Sequence, residues 1–144
     1  MIRLYLDNCC FNRPYDDQSQ SKIKNETDAT LLIQERIINN EFELAWSFIL
    51  DFENSLNPFA ERKNAISKWK QYSQIDIVES KEILNIADDV QLLNINSADS
   101  LHVACSILAL CDYFITTDDA LITKLKNYER IKVINPIQYN LLNY

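Results

Sequence analysis

The sequence predicts an α/β fold: a three-layer sandwich in which helices cover both faces of a parallel sheet. Short apolar runs alternate with longer segments of helical periodicity along the whole chain, an order that implies right-handed crossovers and a buried sheet. No repeat, linker or low-complexity stretch divides the 144 residues, so a single domain is expected over residues 1–144. Four acidic residues, Asp7, Glu53, Asp99 and Asp118, fall where strands end or helices begin. In an open parallel sheet the strand C-termini share one edge, and ligands bind there.

The elements follow in order. Residues 2–6 read as a short buried strand followed by Asp7-Asn8, and Arg13–Asp17 as a loop. Ile23, Leu31, Ile33 and Ile37 lie near helical spacing, which predicts a helix from Ser21 to Asn40, stopped by Asn39-Asn40. Phe42–Trp46 is a second apolar strand, and Ser47 is a good N-cap for a helix running toward Pro58. Glu61–Tyr72 reads as a helix and Ile75–Val78 as a strand; Ser80 then caps a helix reaching Leu92. Ser97 is expected to cap the next helix, Ala98 to Ala109, which is apolar on most faces and therefore buried. Tyr113–Thr116 is a strand, Asp118–Asn127 a helix, and Ile131–Ile134 a last strand ended by Pro136.

Composition narrows the function. The chain contains no Gly, which excludes a P-loop and a Gly-rich dinucleotide fingerprint. Turns and helix C-caps must use Asn, Asp, Ser or Pro, and Asn tolerates the left-handed conformation they need. A formal net charge of −7 argues against broad adhesion to nucleic acid, though not against a metal-dependent nuclease with local basic patches. Arg62, Lys63, Lys68 and Lys70 form one such cluster, and Lys124, Lys126, Arg130 and Lys132 another; both read equally as solvated helix faces. No signal peptide and no apolar run of membrane-spanning length is present. Cys9, Cys10, Cys105 and Cys111 show no C-x-x-C pairing, and buried thiols in a reducing cytoplasm are expected.

Each acid has a plain reading beside the chemical one. Asp7 resembles a turn-forming residue at a strand end. Glu53 shares a helix face with Ile49, Phe52 and Leu56, where a carboxylate is costly unless paired or bound to metal. Asp51 points elsewhere and reads as a solvated acid. Asp99, in a first helical turn, complements the helix dipole by about 0.3–1 kcal/mol. Thr116 and Asp119 have the spacing of a capping box, which gives Asp119 a supporting place beside the site and leaves Asp118 as the better ligand, with Thr116 as a hydrogen-bond donor behind it. Four carboxylates gathered at one edge repel one another unless a cation holds them, which points to Mg²⁺ or Mn²⁺ and to phosphodiester hydrolysis. His102, one turn after Asp99 among Leu101, Val103 and Ala104, reads as a packing residue.

Leu6-Asp7-Asn8, Ser47 followed by Glu53, Ala98-Asp99 opening a helix through His102-Val103-Ala104, and Thr116-Thr117-Asp118 together resemble a PIN domain, the family that includes VapC-type toxin nucleases. The resemblance runs from Tyr5 to Leu125. It implies an α/β/α sandwich on about five parallel strands, an Mg²⁺ or Mn²⁺ site and single-strand-specific ribonuclease activity. It also implies Asp7, Glu53, Asp99 and Asp118 as the acidic set, with Asn8 and Thr116 at polar supporting positions. A homodimer, a small antitoxin partner and products bearing 5′-phosphate and 3′-hydroxyl ends follow from the same resemblance. Two departures stand out: many relatives have Thr or Ser shortly after the first Asp, where this chain has Asn8-Cys9-Cys10, and many have Gly near helix ends. The polar loop Asn12–Gln20 is placed to cover the site or to contact RNA through Arg13.

Two other classes fit part of the pattern. A phosphoaspartate receiver or an aspartyl phosphatase also puts Asp at strand ends, but the phosphatase needs a second Asp where Cys9 stands, and the receiver needs an acidic pair where Asp7 is followed by Asn8. A PIN-like module that binds without turnover is the other, and the presence of all four acids weighs against it.

Overall fold

The computed structural model describes residues 1–143. Five strands, β1 (Arg3–Leu6), β2 (Glu43–Ser47), β3 (Ser73–Ile77), β4 (Tyr113–Ile115) and β5 (Lys132–Ile134), form one sheet in the order β3-β2-β1-β4-β5. Every neighbouring pair is parallel, with Tyr5 of β1 opposite Ala45 on one side and Phe114 on the other. Around the sheet lie α1 (Asn8–Asn12), α2 (Ser21–Ile38), α3 (Phe48–Ser55), α4 (Ala60–Ser67), α5 (Lys81–Gln91), α6 (Ser97–Leu108), α7 (Asp119–Lys124) and α8 (Pro136–Leu142). This is the α/β/α sandwich that alternation of apolar runs and helices predicts.

Parallel strands covered on both faces must be apolar on both. Leu4, Tyr5, Leu6, Leu44, Ala45, Trp46, Phe114 and Ile115 are all fully buried, each Leu or Phe contributing about 1.5–3 kcal/mol. α2 packs with α8, while α5 packs with α6, which also lies on β2 and β4. The chain builds outward from β1 through β2 to β3, then returns to lay β4 on the other side of β1. Strand order therefore reverses between β1 and β4, and the crevice beyond their C-termini is where such sheets take ligands. Asp7 and Asp118 stand there.

Several boundaries depart from expectation. The segment after β1 is helix α1 followed by a 3₁₀ turn, Arg13–Tyr15, rather than a loop. Arg13 is bound to Glu26 at 2.7 Å and to Asp16 at 3.0 Å, so it ties this strap to α2 and is not free for RNA. The Glu61–Tyr72 helix splits into α4 and a 3₁₀ turn, Lys68–Tyr72. Asn96, not Ser97, caps α6, its side chain accepting from the Asp99 N–H at 2.8 Å. α8 has no counterpart in the sequence reading: Pro136 both ends the strand connection and starts a helix, as Pro does at a first helical position, with Asn135 as the cap. Ser47 and Ser80 cap α3 and α5 as expected. No described helix is long and apolar enough to cross a membrane.

Candidate functional site

The crevice is lined by groups from β1, α3, α6 and the β4–α7 connection. Asp7 is the N-cap of α1: its Oδ1 accepts from the Asn8 N–H at 2.8 Å, and its Oδ2 from the Thr116 hydroxyl at 2.8 Å. The Cys9 thiol donates more weakly to the same Oδ2 at 3.5 Å. Asp7 is 6% exposed, so a carboxylate held by these three donors is fixed in direction. Thr116, fully buried, also accepts from the Asp118 N–H at 3.1 Å. One hydroxyl thus joins the ends of β1 and β4.

Glu53 reaches the crevice from α3. The apolar stripe expected around it is only partly apolar in effect, because Ile49 is buried while Phe52 and Leu56 are exposed; Glu53 sits at the rim rather than in the core. Its Oε1 is hydrogen-bonded to His102 Nε2. That same nitrogen lies 3.9 Å from Asp7 Oδ1. Asp7, Glu53 and His102 each offer a ligand atom, all within 4.8 Å of one another, and they form the one such trio among the described residues.

His102 is therefore in the site, against the packing role its neighbours suggested. Its second ring nitrogen, Nδ1, lies 2.6 Å from the Tyr5 hydroxyl, which lies 2.6 Å from Ser47 Oγ. With Nε2–H donating to Glu53, a neutral ring accepts at Nδ1 from Tyr5, which accepts from Ser47. A protonated ring reverses both hydroxyls and leaves every group paired. Burial disfavours the imidazolium, but the Glu53 hydrogen bond and the charges of Asp7, Glu53 and Asp99 outweigh it and raise the His102 pKa. The signal that could have found this is a lone His at i+3 from Asp99, on the same helical face.

Asp99 and Asp118 stand at the same edge but outside that trio. Asp99 is held at Oδ2 by the Asn96 amide at 3.0 Å. Burial, then the charges of Asp7 and Asp118, raise its pKa, so the acids feel one another across the crevice. Asp118 is exposed and caps α7, accepting from the Leu121 N–H at 3.1 Å. Asp119 turns away to an ion pair with Lys22 at 3.4 Å, and the Thr116–Asp119 capping box does not form. Asp51 is not a free solvated acid either: it accepts from the Trp46 indole at 2.8 Å and from Lys70 at 3.1 Å. Lys70 also pairs with Asp76, which removes it from the basic cluster. All four cysteines are free, and burial pushes the Cys105 and Cys111 thiols up to about 12.

The fold has counterparts among solved structures. A chain of the crystal structure of VapBC2 from Rickettsia felis, bound to a DNA fragment from their promoter, superposes with a TM-score of 0.55. The match covers 93% of this chain and 98% of that one at 14% identity. A chain of DNA-bound VapBC from Salmonella typhimurium gives 0.54 over 94% and 99%, at 11% identity. No family model matches the sequence, and no curated protein does. Sheet order and near-complete mutual coverage define the class as a PIN-like α/β/α fold. Within that class the fold is VapC-like.

Proposed function

We propose that this chain is a divalent-metal-dependent ribonuclease acting on single-stranded or structured RNA, and the toxin of a toxin–antitoxin pair. The observation that carries this reading is the meeting of Asp7, Glu53 and His102 at the crevice between β1 and β4. The donor set fits a hard divalent cation: carboxylate oxygens dominate it, and converging negative charge is what such an ion relieves. Burial, and after it the charges of Asp7 and Asp118, raise the Asp99 pKa, and the second of these is repulsion that a cation would relieve.

Asp7 and Glu53 would hold Mg²⁺ or Mn²⁺, with Asp99 and Asp118 completing the acidic edge. The chemistry such an ion supplies when bound is Lewis-acid activation of water and neutralisation of phosphate charge. Thr116 fixes the direction of Asp7, and His102 fixes that of Glu53. Asn8, beside Asp7, would be a polar supporting residue on this reading. Asp119 has no part in the site on this reading, since it is turned toward Lys22.

The partners of the reading are RNA and a small antitoxin protein, the latter supported by neighbours that are VapBC complexes. A homodimer is part of the same proposal. The test is cleavage of single-stranded RNA with Mn²⁺, with EDTA, and by Asp7→Asn and Asp99→Asn. Cleavage should require the ion and fall at least ~100-fold in each variant. Full activity in both folded variants would refute the assignment, and labelling of Asp7 by an acyl-phosphate mimic would move the protein to the phosphoaspartate class.

A further inference from the structure

Beside Glu53 a cleft of about 220 Å³ opens between α1, α3 and the start of α4. We propose that it is a nucleobase subsite, taking one base of single-stranded RNA next to the acidic edge. The position relative to the scissile bond rests on the ribonuclease reading; the base-binding chemistry does not.

Its walls are of two kinds. One is an amide lattice: Asn57 Nδ2 donates to Asn12 Oδ1 at 3.2 Å, and Asn12 Nδ2 donates to the Asn8 carbonyl at 3.0 Å. Asn57 Oδ1 in turn accepts from the Phe59 N–H at 3.1 Å. These amides are braced by one another, so they present a fixed polar edge of the sort that reads the hydrogen-bonding edge of a base. The other wall is Phe59, 53% exposed, with the Arg62 guanidinium 4.0 Å over its ring centroid and 5.4 Å from that of Tyr15.

Arg62 is the informative residue. Arg3, Arg13 and Arg36 are each paired with a carboxylate, whereas Arg62 and Arg130 have no such partner among the described residues, and of these two Arg62 is the one that lies over aromatic rings. It is held by aromatic faces instead, with its donors unspent, on a chain of net charge −7. A flat cation stacked on an exposed ring is a platform for a further flat π-system. A phosphate group alone would meet Glu53 in the same cleft and leave Phe59 uncovered. A base satisfies both walls and places its own phosphate toward the acids.

The test is equilibrium binding of a fluorescent single-stranded pentaribonucleotide to wild type, Phe59→Ala, Phe59→Leu, Arg62→Ala and Arg62→Lys, with folding checked by circular dichroism. Phe59→Ala and Arg62→Ala should each weaken binding roughly five- to a hundred-fold, the range of a lost base–aromatic stack. Phe59→Leu and Arg62→Lys should recover little of it, and an abasic residue at the docked position should make Phe59→Ala silent. Unchanged affinity in both alanine variants overturns the subsite. Full affinity in Phe59→Leu also overturns it, because an apolar peptide rather than a base would then fit the cleft. Weakened binding by these variants in a protein that cleaves no RNA upholds the subsite and removes the nuclease reading.

Discussion

The Tyr5 hydroxyl lies 2.6 Å from Nδ1 of His102, 97 residues away in sequence, and both side chains are buried. β1 thereby controls Glu53 on α3 through a residue of α6. Tyr5→Phe keeps the ring and its stacking on Phe114 at 5.3 Å but leaves Nδ1 and the Ser47 hydroxyl without their shared partner. Such buried orphans cost about 1–3 kcal/mol. Urea unfolding should show that loss, and calorimetry should show Mn²⁺ binding weakened about 10-fold, the lower end for a group supporting a ligand. Wild-type stability and affinity together would mean the triad Tyr5–His102–Glu53 does no positioning.

Thr116 holds Asp7 in the same way from the other side. Thr116→Val preserves shape and burial while removing the 2.8 Å donor to Asp7 Oδ2 and the acceptor of the Asp118 N–H. Two site groups lose their common anchor. Mn²⁺ affinity should fall roughly 10–100-fold. Thr116→Ser, which restores the hydroxyl, should recover most of it. Wild-type affinity in Thr116→Val would show that packing of the side chain, not the hydrogen bond, is what matters.

Asp99 carries a pH signature in the metal-free protein. Its pKa is raised above the ordinary 3.8: burial and the charges of Asp7 and Asp118 outweigh the lowering effects of His102 and of the Asn96 hydrogen bond. A carboxyl whose folded value is raised adds stability that is fully present below the unfolded value and is lost as pH rises through the folded one. Asp99→Asn removes that loss. In EDTA at neutral pH the variant should melt higher than wild type, and the gap should close as the pH falls below about 4. Saturating Mn²⁺ should reverse the order at neutral pH, since ligand binding stabilises the form that binds it. A variant that melts lower in EDTA across the whole range would show that the acids do not strain one another.

The places of three acids in the fold were legible from sequence, but the distances among the four were not. Asp7 and Asp118 cap α1 and α7 and Asp99 lies in the first turn of α6, near the edge that strand C-termini share, whereas Glu53 lies late in α3. Which pairs touch depends on how far each helix is rotated about its axis. α6 is rotated so that His102 projects between Asp7 and Glu53, and its i+3 spacing from Asp99 is a weak local signal of that, since a packing histidine can hold the same position. Phe52 on α3 and Leu56 just after it face solvent, where a helical stripe alone assigns them to the core. α8 escaped because Pro136 ends one element and begins another. The inner strands β1, β2 and β4, by contrast, were readable because strands buried on both faces give short apolar runs between turn residues.

The absence of Gly leaves its own trace at Leu110. Asn40 and Asn94 take left-handed backbone at φ 59° and 64°, as Asn tolerates, but Leu110 does so at φ 57°. It follows α6 in the position where helices favour Gly: the Leu110 N–H donates to the Ile107 carbonyl and the Cys111 N–H to that of Ser106, each at 3.0 Å. A left-handed L-residue costs about 1–2 kcal/mol, and Leu110 is 80% exposed, so its side chain offsets little of this by burial. Gly relieves the strain and loses about 0.5–1 kcal/mol of that gain to the freedom of the unfolded chain. Leu110→Gly should therefore stabilise the protein by about 0.5–1 kcal/mol in urea unfolding, with Leu110→Asn giving a smaller gain. Leu110→Ala is the control, because Ala keeps the Cβ that causes the clash and should change stability little. If Gly proves no better than Ala, the helix end is not strained and the φ angle at this position has another cause.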